Sequence, residues 1–280
     1  MKKKNIVLTI LGIIIIVLII GILFVLYDKT SYKYKKEDLY VYFFDAGKAD
    51  SMIIRKNDKV MMIDTGESNL ETKIKWYMNE NNIKKIDYLI LSHFDKDHIG
   101  NAAYVINNYE VGNVLQSNSP KDSEEYTKYL EALESKQIEP ITVSGDYAFE
   151  MDDCKIVVNG PETTYEKNES NNSSLITRIT YNKNTFLFMG DSQNDRTREY
   201  LNTNPETADV IKVPYHGHYQ KQDITLFEII KPKYAVISTS KDVIEEKLIN
   251  LLDTKKINYY STFNGEINIY SNGEKIVIKQ

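Results

Sequence analysis

The sequence predicts one α/β domain behind an apolar N-terminal segment, and three observations support this. Short apolar segments with the length of strands recur towards both ends of the chain. Segments with apolar residues near helical spacing follow each group of strands. About 240 residues remain after the N-terminal segment, a length that suits one large domain.

The predicted elements form two halves, each with strands followed by helices, and we find no internal repeat. Strands are expected at Leu39–Phe44, Ser51–Arg55, Lys59–Ile63, Ile86–Leu91, Ser174–Tyr181, Thr185–Met189, Tyr234–Ile237 and Lys275–Ile278. Helices are expected at Leu70–Asn81, from Ile99 onward, and at Ser123–Ser135, Asp195–Leu201, Thr225–Ile230 and Val243–Leu252.

The first 27 residues have the composition of a membrane anchor. Lysines at positions 2–4 precede an uncharged run from Ile6 to Tyr27. As a helix, this run is long enough to span a hydrocarbon core of about 30 Å. We therefore predict an anchor at residues 1–27, a linker at 28–38 and a globular domain at 39–280.

A cleaved signal peptide is the competing interpretation. Its apolar region would be shorter, about 7–15 residues, and would end at a small-X-small site, whereas Phe24–Asp28 contains no such site. Lysines at positions 29, 33, 35 and 36 nearly balance those before the run. We expect a retained single-pass anchor in the cell membrane with the globular domain outside the cytoplasm, because a short, densely charged tail is typical of an uncleaved export signal.

Four metal-binding side chains lie within six positions directly after the predicted strand Ile86–Leu91. They are His93, Asp95, Asp97 and His98. A loop at this place can aim imidazoles and carboxylates at a common point. Such ligands suit zinc, manganese or iron, and no cysteine accompanies them to make a structural site. The stretch therefore predicts a catalytic metal site.

The four histidines of the chain fall in two clusters, each after an apolar segment. His216 and His218 form the second cluster, and between the clusters an apolar strand ends in Gly190-Asp191. A site assembled from separate loops requires this arrangement. The Asp191 carboxylate is placed to bridge two metal ions.

Several motifs in matching order resemble those of the metallo-β-lactamase superfamily, and more narrowly those of the hydrolase domain attached to ComEC-type DNA-uptake proteins. The stretch His93–His98 is similar to the superfamily signature His-X-His-X-Asp-His. The other matching segments are Phe43–Ser51, Met62–Gly66, Asn172–Leu175 and Val213–Gly217. The resemblance covers roughly residues 39–270 and implies a four-layer αββα sandwich.

The resemblance also implies two divalent metal ions, with Zn²⁺ favoured and Mn²⁺ as the alternative. It assigns His93 and Asp95 to the first metal ion, Asp97, His98 and His216 to the second, and Asp191 to a bridging position. Asp64 is expected to orient the metal-binding loop by hydrogen bonding.

Four residues are expected near the substrate or the reaction. Asp50 lies on the substrate side in the related proteins, and Lys212, in a motif loop, is expected to face an anionic substrate. We place Asp97 and His218 in the catalytic set. Three roles stay open for His218: general acid toward the leaving oxygen, substitute ligand, or solvent-facing side chain.

The chain departs from the resembled family at three places. Asp95 stands where most members have histidine, and Val157–Pro161 lacks their middle histidine, so weak binding of the first metal ion is expected. A Tyr-Gly-His-Pro segment is absent from Ile237–Val243. That last departure weakens the expectation that DNA is the substrate.

The predicted function is a membrane-anchored metallo-hydrolase that uses a metal-bound hydroxide, since two metal ions about 3.5–4 Å apart lower the pKa of a shared water. The expected substrate is a phosphodiester, in nucleic acid or attached to the cell wall. The alternatives are an esterase or lactonase of the same fold, and a non-catalytic metal-binding scaffold beside a membrane partner. The net charge of −5 gives no general basic surface, so no stable nucleic-acid complex is expected.

Overall fold

The computed structural model describes residues 12–19, 21, 35–165 and 169–280. The chain divides into two units, Met1–Lys35 and Lys36–Gln280. In the first unit, residues 12–19 are helical. No helix within the described ranges is both long and apolar enough to cross a membrane. Most of the predicted anchor, and residues 28–34 of the predicted linker, lie outside these ranges.

The second unit contains fifteen β-strands in the described residues. They are β1 Leu39–Phe43, β2 Ser51–Lys56, β3 Lys59–Thr65, β4 Lys85–Leu91, β5 Glu110–Gln116, β6 Ile141–Thr142, β7 Gly145–Met151, β8 Cys154–Gly160, β9 Ile176–Tyr181, β10 Asn184–Phe188, β11 Val210–Lys212, β12 Tyr234–Ile237, β13 Asn258–Ser261, β14 Ile267–Ser271 and β15 Ile276–Lys279.

Eight α-helices accompany these strands in the same described part of the chain. They are α1 Glu71–Glu80, α2 Lys96–Ile99, α3 Ala102–Asn108, α4 Glu124–Lys136, α5 Glu169–Asn172, α6 Asn194–Asn202, α7 Asp223–Ile230 and α8 Glu246–Thr254. Short 3₁₀ segments occur at Ser68–Leu70, Tyr215–Gly217 and Thr262–Asn264.

The strands form two mixed sheets. The first has the order β15-β14-β1-β2-β3-β4-β5-β6, and the second has the order β13-β12-β11-β10-β9-β8-β7. In each sheet an antiparallel part joins a parallel part, at β3 in the first sheet and at β10 in the second. The loops after the parallel strands β4, β10 and β11 bear the predicted metal ligands.

The side chains of β1 alternate between two buried faces, which explains why its apolar residues form a continuous run. Val41 and Phe43 belong to the core between the sheets, whereas Tyr40 and Tyr42 pack on the opposite face. Successive side chains of a strand point to opposite faces, so a strand buried on both sides needs no polar alternation. The Phe43 ring stacks on Phe188 of the other sheet, with centroids 6.1 Å apart.

Helices cover the outer face of each sheet. Helices α1, α3 and α4 pack on the first sheet, and α6, α7 and α8 pack on the second. The two-sheet α/β sandwich predicted from the sequence is therefore confirmed, with helical layers on both outer faces.

Most predicted elements are observed within two or three residues of their expected ends. The expected helix from Ile99 is the main difference, because the structure has α2 at Lys96–Ile99 and then α3. Asp97 and His98 therefore lie in a single helical turn rather than in a loop. Strands β5, β6, β7, β13 and β14 were not expected, since half-exposed strands at or near a sheet edge have weak apolar patterns.

Candidate metal centre

The first group of candidate ligands lies between the end of β4 and the end of α2. His93 and His98 are fully buried, and Asp95 has extended backbone geometry directly before the helical turn. The turn brings Asp97 and His98 to the same side of the loop as residues from the other sheet. Sequence spacing alone does not produce that arrangement, because it depends on the short helix.

Asp191 comes from the tight turn that follows β10. Gly190 has φ of +55°, and a Cβ on it would lie 3.0 Å from the Cβ atoms of Ser92 and Ser174. A side chain at position 190 would therefore push apart the two loops that meet here. The backbone N–H of Asp191 donates to Ser174 Oγ at 3.1 Å, which fixes the direction of the turn.

His216 lies on a strained turn after β11. Tyr215 and His216 have φ of 51° and 52°, and Gly217 follows with φ of 89°. A left-handed conformation is unusual for a non-glycine residue and is often found at functional sites. His216 Nδ1 donates to the Ser238 carbonyl at 2.9 Å, so Nε2 is the unprotonated nitrogen of the neutral ring.

Four of the predicted ligands converge on one point. The nitrogen and oxygen donors of Asp97, His98, Asp191 and His216 all lie within 4.8 Å of one another. Asp191 Oδ2 is 3.0 Å from His216 Nε2 and 3.4 Å from His98 Nε2. The resemblance assigned these four residues to the second metal ion and the bridging position.

The donor atoms at this point lack other partners. Within the described part of the chain, Nε2 of His98 and of His216 and Oδ1 of Asp191, together with Nε2 of the neighbouring His93, are buried and have no hydrogen-bond partner outside this group of imidazoles and carboxylates. An unsatisfied buried polar atom costs about 1–3 kcal/mol, and a divalent cation would satisfy several at once. Two imidazoles and two carboxylates are a suitable donor set for zinc or manganese, so the residues fit a metal.

Asp64 supports the ligand loop from below. Its Oδ1 accepts from the Ser92 N–H at 2.7 Å, and its Oδ2 accepts from Ser92 Oγ at 2.7 Å and from His98 Nδ1 at 2.9 Å. The Nδ1 contact leaves Nε2 of His98 free for a cation. The backbone of Asp64 is in the left-handed conformation, with φ of 54°. These contacts are those expected of a residue that orients the loop.

The remaining two ligands, His93 and Asp95, form a less complete position. His93 Nε2 and Asp95 Oδ2 are 3.8 Å apart. The other carboxylate oxygen, Asp95 Oδ1, accepts hydrogen bonds from Lys121 Nζ and Ser170 Oγ. No sequence motif pointed to Lys121 or Ser170, because both lie in segments without recognisable pattern.

Carboxylates and imidazoles in this cluster shift one another's pKa values. Burial by itself lowers the pKa of His216, but Asp191 and Asp97 outweigh it and raise that pKa to about 9. His98 shows the same balance, and its pKa lies well above the usual value beside Asp191 and Asp64. The pKa of Asp191 is correspondingly held well below its usual value, against the effect of burial. A cation would take the place of these imidazole protons.

Lys212 and Asp50 are buried beneath the ligands. Both side chains are fully shielded from solvent and form a direct ion pair. Lys212 Nζ also donates to the Gly190 carbonyl at 3.0 Å and lies 3.7 Å from Asp191 Oδ1. Their burial does not fit the predicted contact with substrate. The sequence placed them correctly beside the motif loops, but Lys212 points from β11 into the space between the sheets.

His218 lies outside the converging donor set. Its side chain is 31% exposed, its Nδ1 is 3.4 Å from Glu245 Oε1, and its ring packs on Tyr215 with centroids 4.8 Å apart. A ligand role is therefore unsupported by position. Its partial exposure fits the general-acid role and the solvent-facing role.

An open cleft of about 390 Å³ leads to Asp95, Asp97 and Asp191. Three lysines lie among its lining residues: Lys48, Lys96 and Lys121. Tyr215 also lines the cleft, and Lys48 Nζ is 6.0 Å from the centre of its ring. Lys96 is paired with Glu67 and Lys121 with Asp95, and Glu125 also lines the cleft, so the wall above the candidate metal ligands carries charges of both signs.

Asp223, at the start of α7 after the His216 turn, predicts a pH-dependent stability. It is buried, its Oδ1 has no hydrogen-bond partner among the residues that the structure describes, and burial raises its pKa to about 7. The folded protein thus binds this proton more tightly than the unfolded chain, whose aspartate pKa is about 3.9. Stability from this group is complete below the unfolded pKa and declines as pH rises towards 7.

We expect Asp223→Asn to stabilise the protein at pH 8, by about 1–3 kcal/mol, because the amide removes a buried charge. The gain should shrink as pH falls to 4. Denaturant unfolding at both pH values measures it, with Asp195→Asn on the exposed face of α6 as the control. An equal effect of Asp223→Asn at pH 4 and pH 8 would contradict the assignment.

Imidazole and carboxylate donors gathered on the loops at one edge of an α/β sandwich form a site suited to metal-assisted hydrolysis, which defines a candidate metallo-hydrolase. Residues 45–241 match the metallo-beta-lactamase superfamily, and the chain belongs to that superfamily.

Two relatives narrow the assignment. The chain is 27% identical over 222 residues to ComE operon protein 3 of Bacillus subtilis, a match that covers 71% of this chain and 28% of the relative. It is 24% identical over 202 residues to Recombination protein 2 of Haemophilus influenzae, covering 70% and 24%. The predicted ComEC-like hydrolase domain is thereby confirmed. The match spans only about a quarter of the length of these relatives.

Solved structures show the same fold. The metallo-β-lactamase fold protein YhfI from Bacillus subtilis superposes with a TM-score of 0.56 at 13% identity, covering 80% of this chain and 96% of that one. A variant of the β-hydroxylase CmlA gives 0.55 at 14% identity, covering 82% and 53%. At these identities the likeness concerns the fold, and chemistry must be argued from the site.

Proposed function

We propose that the protein is a metal-dependent hydrolase whose preferred substrate is a phosphodiester. The observation that supports this most directly is the convergence of Asp97, His98, Asp191 and His216 on one point at the floor of an open cleft. A structural metal site would be closed to solvent, whereas this one has Asp97 partly exposed towards the cleft.

Divalent cations in such a site would act as Lewis acids and would generate hydroxide at neutral pH. The protein residues hold and orient the candidate ligands. Asp64 and Ser238 fix the ring tautomers of His98 and His216. Lys212 and Ser174 fix the turn that bears Asp191. No side-chain nucleophile is required, and Cys154, the single cysteine, is buried in the core between the sheets.

An anionic substrate is favoured by the lining of the cleft. The floor of the opening would be occupied by cations, and Lys48, Lys96 and Lys121 line it. Lys96 is paired with Glu67 and Lys121 with Asp95, so Lys48 is the lysine best placed to pair with a phosphate oxygen. A neutral ester or lactone has no charge to meet this lysine. That difference ranks a phosphodiester, in nucleic acid or attached to the cell wall, above the ester and lactone alternatives. The net charge of −5 still argues against a stable nucleic-acid complex.

The N-terminal segment supports a second part of the proposal, that the enzyme is anchored in the cell membrane with its catalytic domain outside the cytoplasm. The support is the uncharged run from Ile6 to Tyr27 after three lysines. Alkaline extraction of membranes and protease treatment of intact cells test it. Release of the full chain by alkali, or protection of the domain in intact cells, would refute the anchor or its orientation respectively.

Metal content and hydrolysis of the full chain test the function. We expect the protein, purified in mild detergent without chelator, to contain zinc or manganese and to cleave bis-p-nitrophenyl phosphate and single-stranded DNA in a metal-dependent manner. A p-nitrophenyl ester serves as the neutral comparison substrate. Folded protein without turnover after metal addition would refute the hydrolase and favour the non-catalytic scaffold. Faster cleavage of the neutral ester would favour the esterase alternative.

A further inference from the structure

Lys121 contacts a candidate metal ligand directly. It lies in the segment between β5 and α4, and its ammonium donates to Asp95 Oδ1. Ser170, from α5, donates to the same oxygen. Asp95 therefore offers only Oδ2 towards His93 Nε2, which is 3.8 Å away.

Because of the contact between Lys121 and Asp95, the two candidate metal positions differ in their donor residues and in the charge beside them. The position formed by Asp97, His98, Asp191 and His216 has four protein donor residues. The position formed by His93 and Asp95 has two donor residues of its own, to which the bridging role proposed for Asp191 would add a third. At that position an incoming cation also meets the positive charge of Lys121, which repels it and partly neutralises its ligand.

Lys212 does not produce the same difference. Lys212 Nζ lies 3.7 Å from Asp191 Oδ1, and Asp191 is the carboxylate proposed to bridge the two positions, so the charge of Lys212 would act on both. Asp97, which belongs to the four-residue position alone, pairs with His216 at 3.5 Å and with no lysine in the described residues. The unequal contribution comes from Lys121.

We propose that Lys121 sets the order and strength of metal binding: the Asp97–His98–Asp191–His216 position fills first, and the His93–Asp95 position fills only at higher metal concentration. The inference rests on the proposed function, because it concerns the same site. It goes beyond the weak first metal ion expected from ligand type, since it assigns part of that weakness to a residue that is not a ligand.

Equilibrium dialysis of the full chain in mild detergent tests this. The chelator-treated protein is dialysed against graded Zn²⁺ or Mn²⁺, and bound metal is measured by elemental analysis. We expect the first equivalent to bind at least about 10-fold more tightly than the second. Replacing the ammonium with an uncharged side chain removes the repulsion between Lys121 and the incoming cation and frees Asp95 Oδ1, so Lys121→Met should tighten the second equivalent by about 10-fold or more.

Two further variants sharpen the result. Lys128→Met removes an exposed lysine of α4 that pairs with Glu124, and it should leave both affinities unchanged. Asp95→Asn should weaken the second equivalent and spare the first, which identifies the weaker position.

The outcomes separate the inference from the function. Equal binding of two equivalents by the unaltered protein, or no tightening in Lys121→Met, overturns the role of Lys121 while leaving a two-metal hydrolase intact. Failure to bind any metal overturns both the inference and the proposed function. Because dialysis measures binding alone, neither reading depends on the choice of substrate.

Discussion

Replacing Asp191 with asparagine is expected to lower hydrolysis by more than about 100-fold and to abolish tight metal binding. Asp191 Oδ2 lies within 3.4 Å of both His98 Nε2 and His216 Nε2, so its charge is central to the donor set. Losing an outer contact of a metal site costs 10–100-fold, and losing a shared ligand should cost more. Initial rates at saturating Mn²⁺ or Zn²⁺, with metal content, measure the effect.

Asp195→Asn is the matched control for this change. Asp195 lies four residues further on, pairs with Arg198 at 2.8 Å and is exposed, so its loss should alter neither turnover nor metal content. If Asp191→Asn retained full hydrolysis at saturating metal, the bridging role would be refuted. If it lost metal while the unaltered protein hydrolysed no substrate, the scaffold alternative would gain support.

Lys212→Met is expected to destabilise the fold by about 3–5 kcal/mol, because removing one partner leaves a buried charge without compensation. The pKa of Lys212 is raised by Asp50 and Asp191 in spite of complete burial. The lysine is therefore charged, and it compensates the buried negative charges of Asp50 and Asp191. Denaturant unfolding of the full chain in the presence of chelator measures the loss.

The double variant Lys212→Met/Asp50→Asn is the control for that prediction. With the Asp50 charge removed as well, part of the stability should return, and the coupling between the two positions follows from the double-mutant cycle. Added metal should also restore stability to the single variant, since a cation can compensate Asp191. A single variant as stable as the unaltered protein would show that the buried pair contributes no net stability.

Asp191 and Lys212 lie in different layers of one site. Asp191 faces the donor cluster, whereas Lys212 holds the Gly190 carbonyl from the side between the sheets. A lysine at this place stabilises the acidic cluster before any metal binds. The positive charge of Lys212 also reduces the attraction of the cluster for a cation. The lysine therefore stabilises the fold and lowers the metal affinity of the site.

Local sequence patterns by themselves indicate much of this fold and most of the candidate ligands. Apolar runs and their spacing predicted most strands and helices, because burial on one or both faces imposes a period that is visible in the chain. The ligands His93, Asp95, Asp97, His98, Asp191 and His216 were predicted from their types and order. The chain has four histidines, in two clusters, and aspartates stand beside them in the first cluster, so the candidate ligands are recognisable in the sequence itself.

The tertiary structure decided which of these residues act together and what surrounds them. Lys212 was expected at the substrate and is instead buried against Asp50, because the direction of a side chain depends on how β11 sits in its sheet. Lys121 and Ser170 reach Asp95 from segments 26 and 75 residues away in sequence. Such contacts leave no local pattern, since they arise only when distant loops meet at the edge of the folded sandwich.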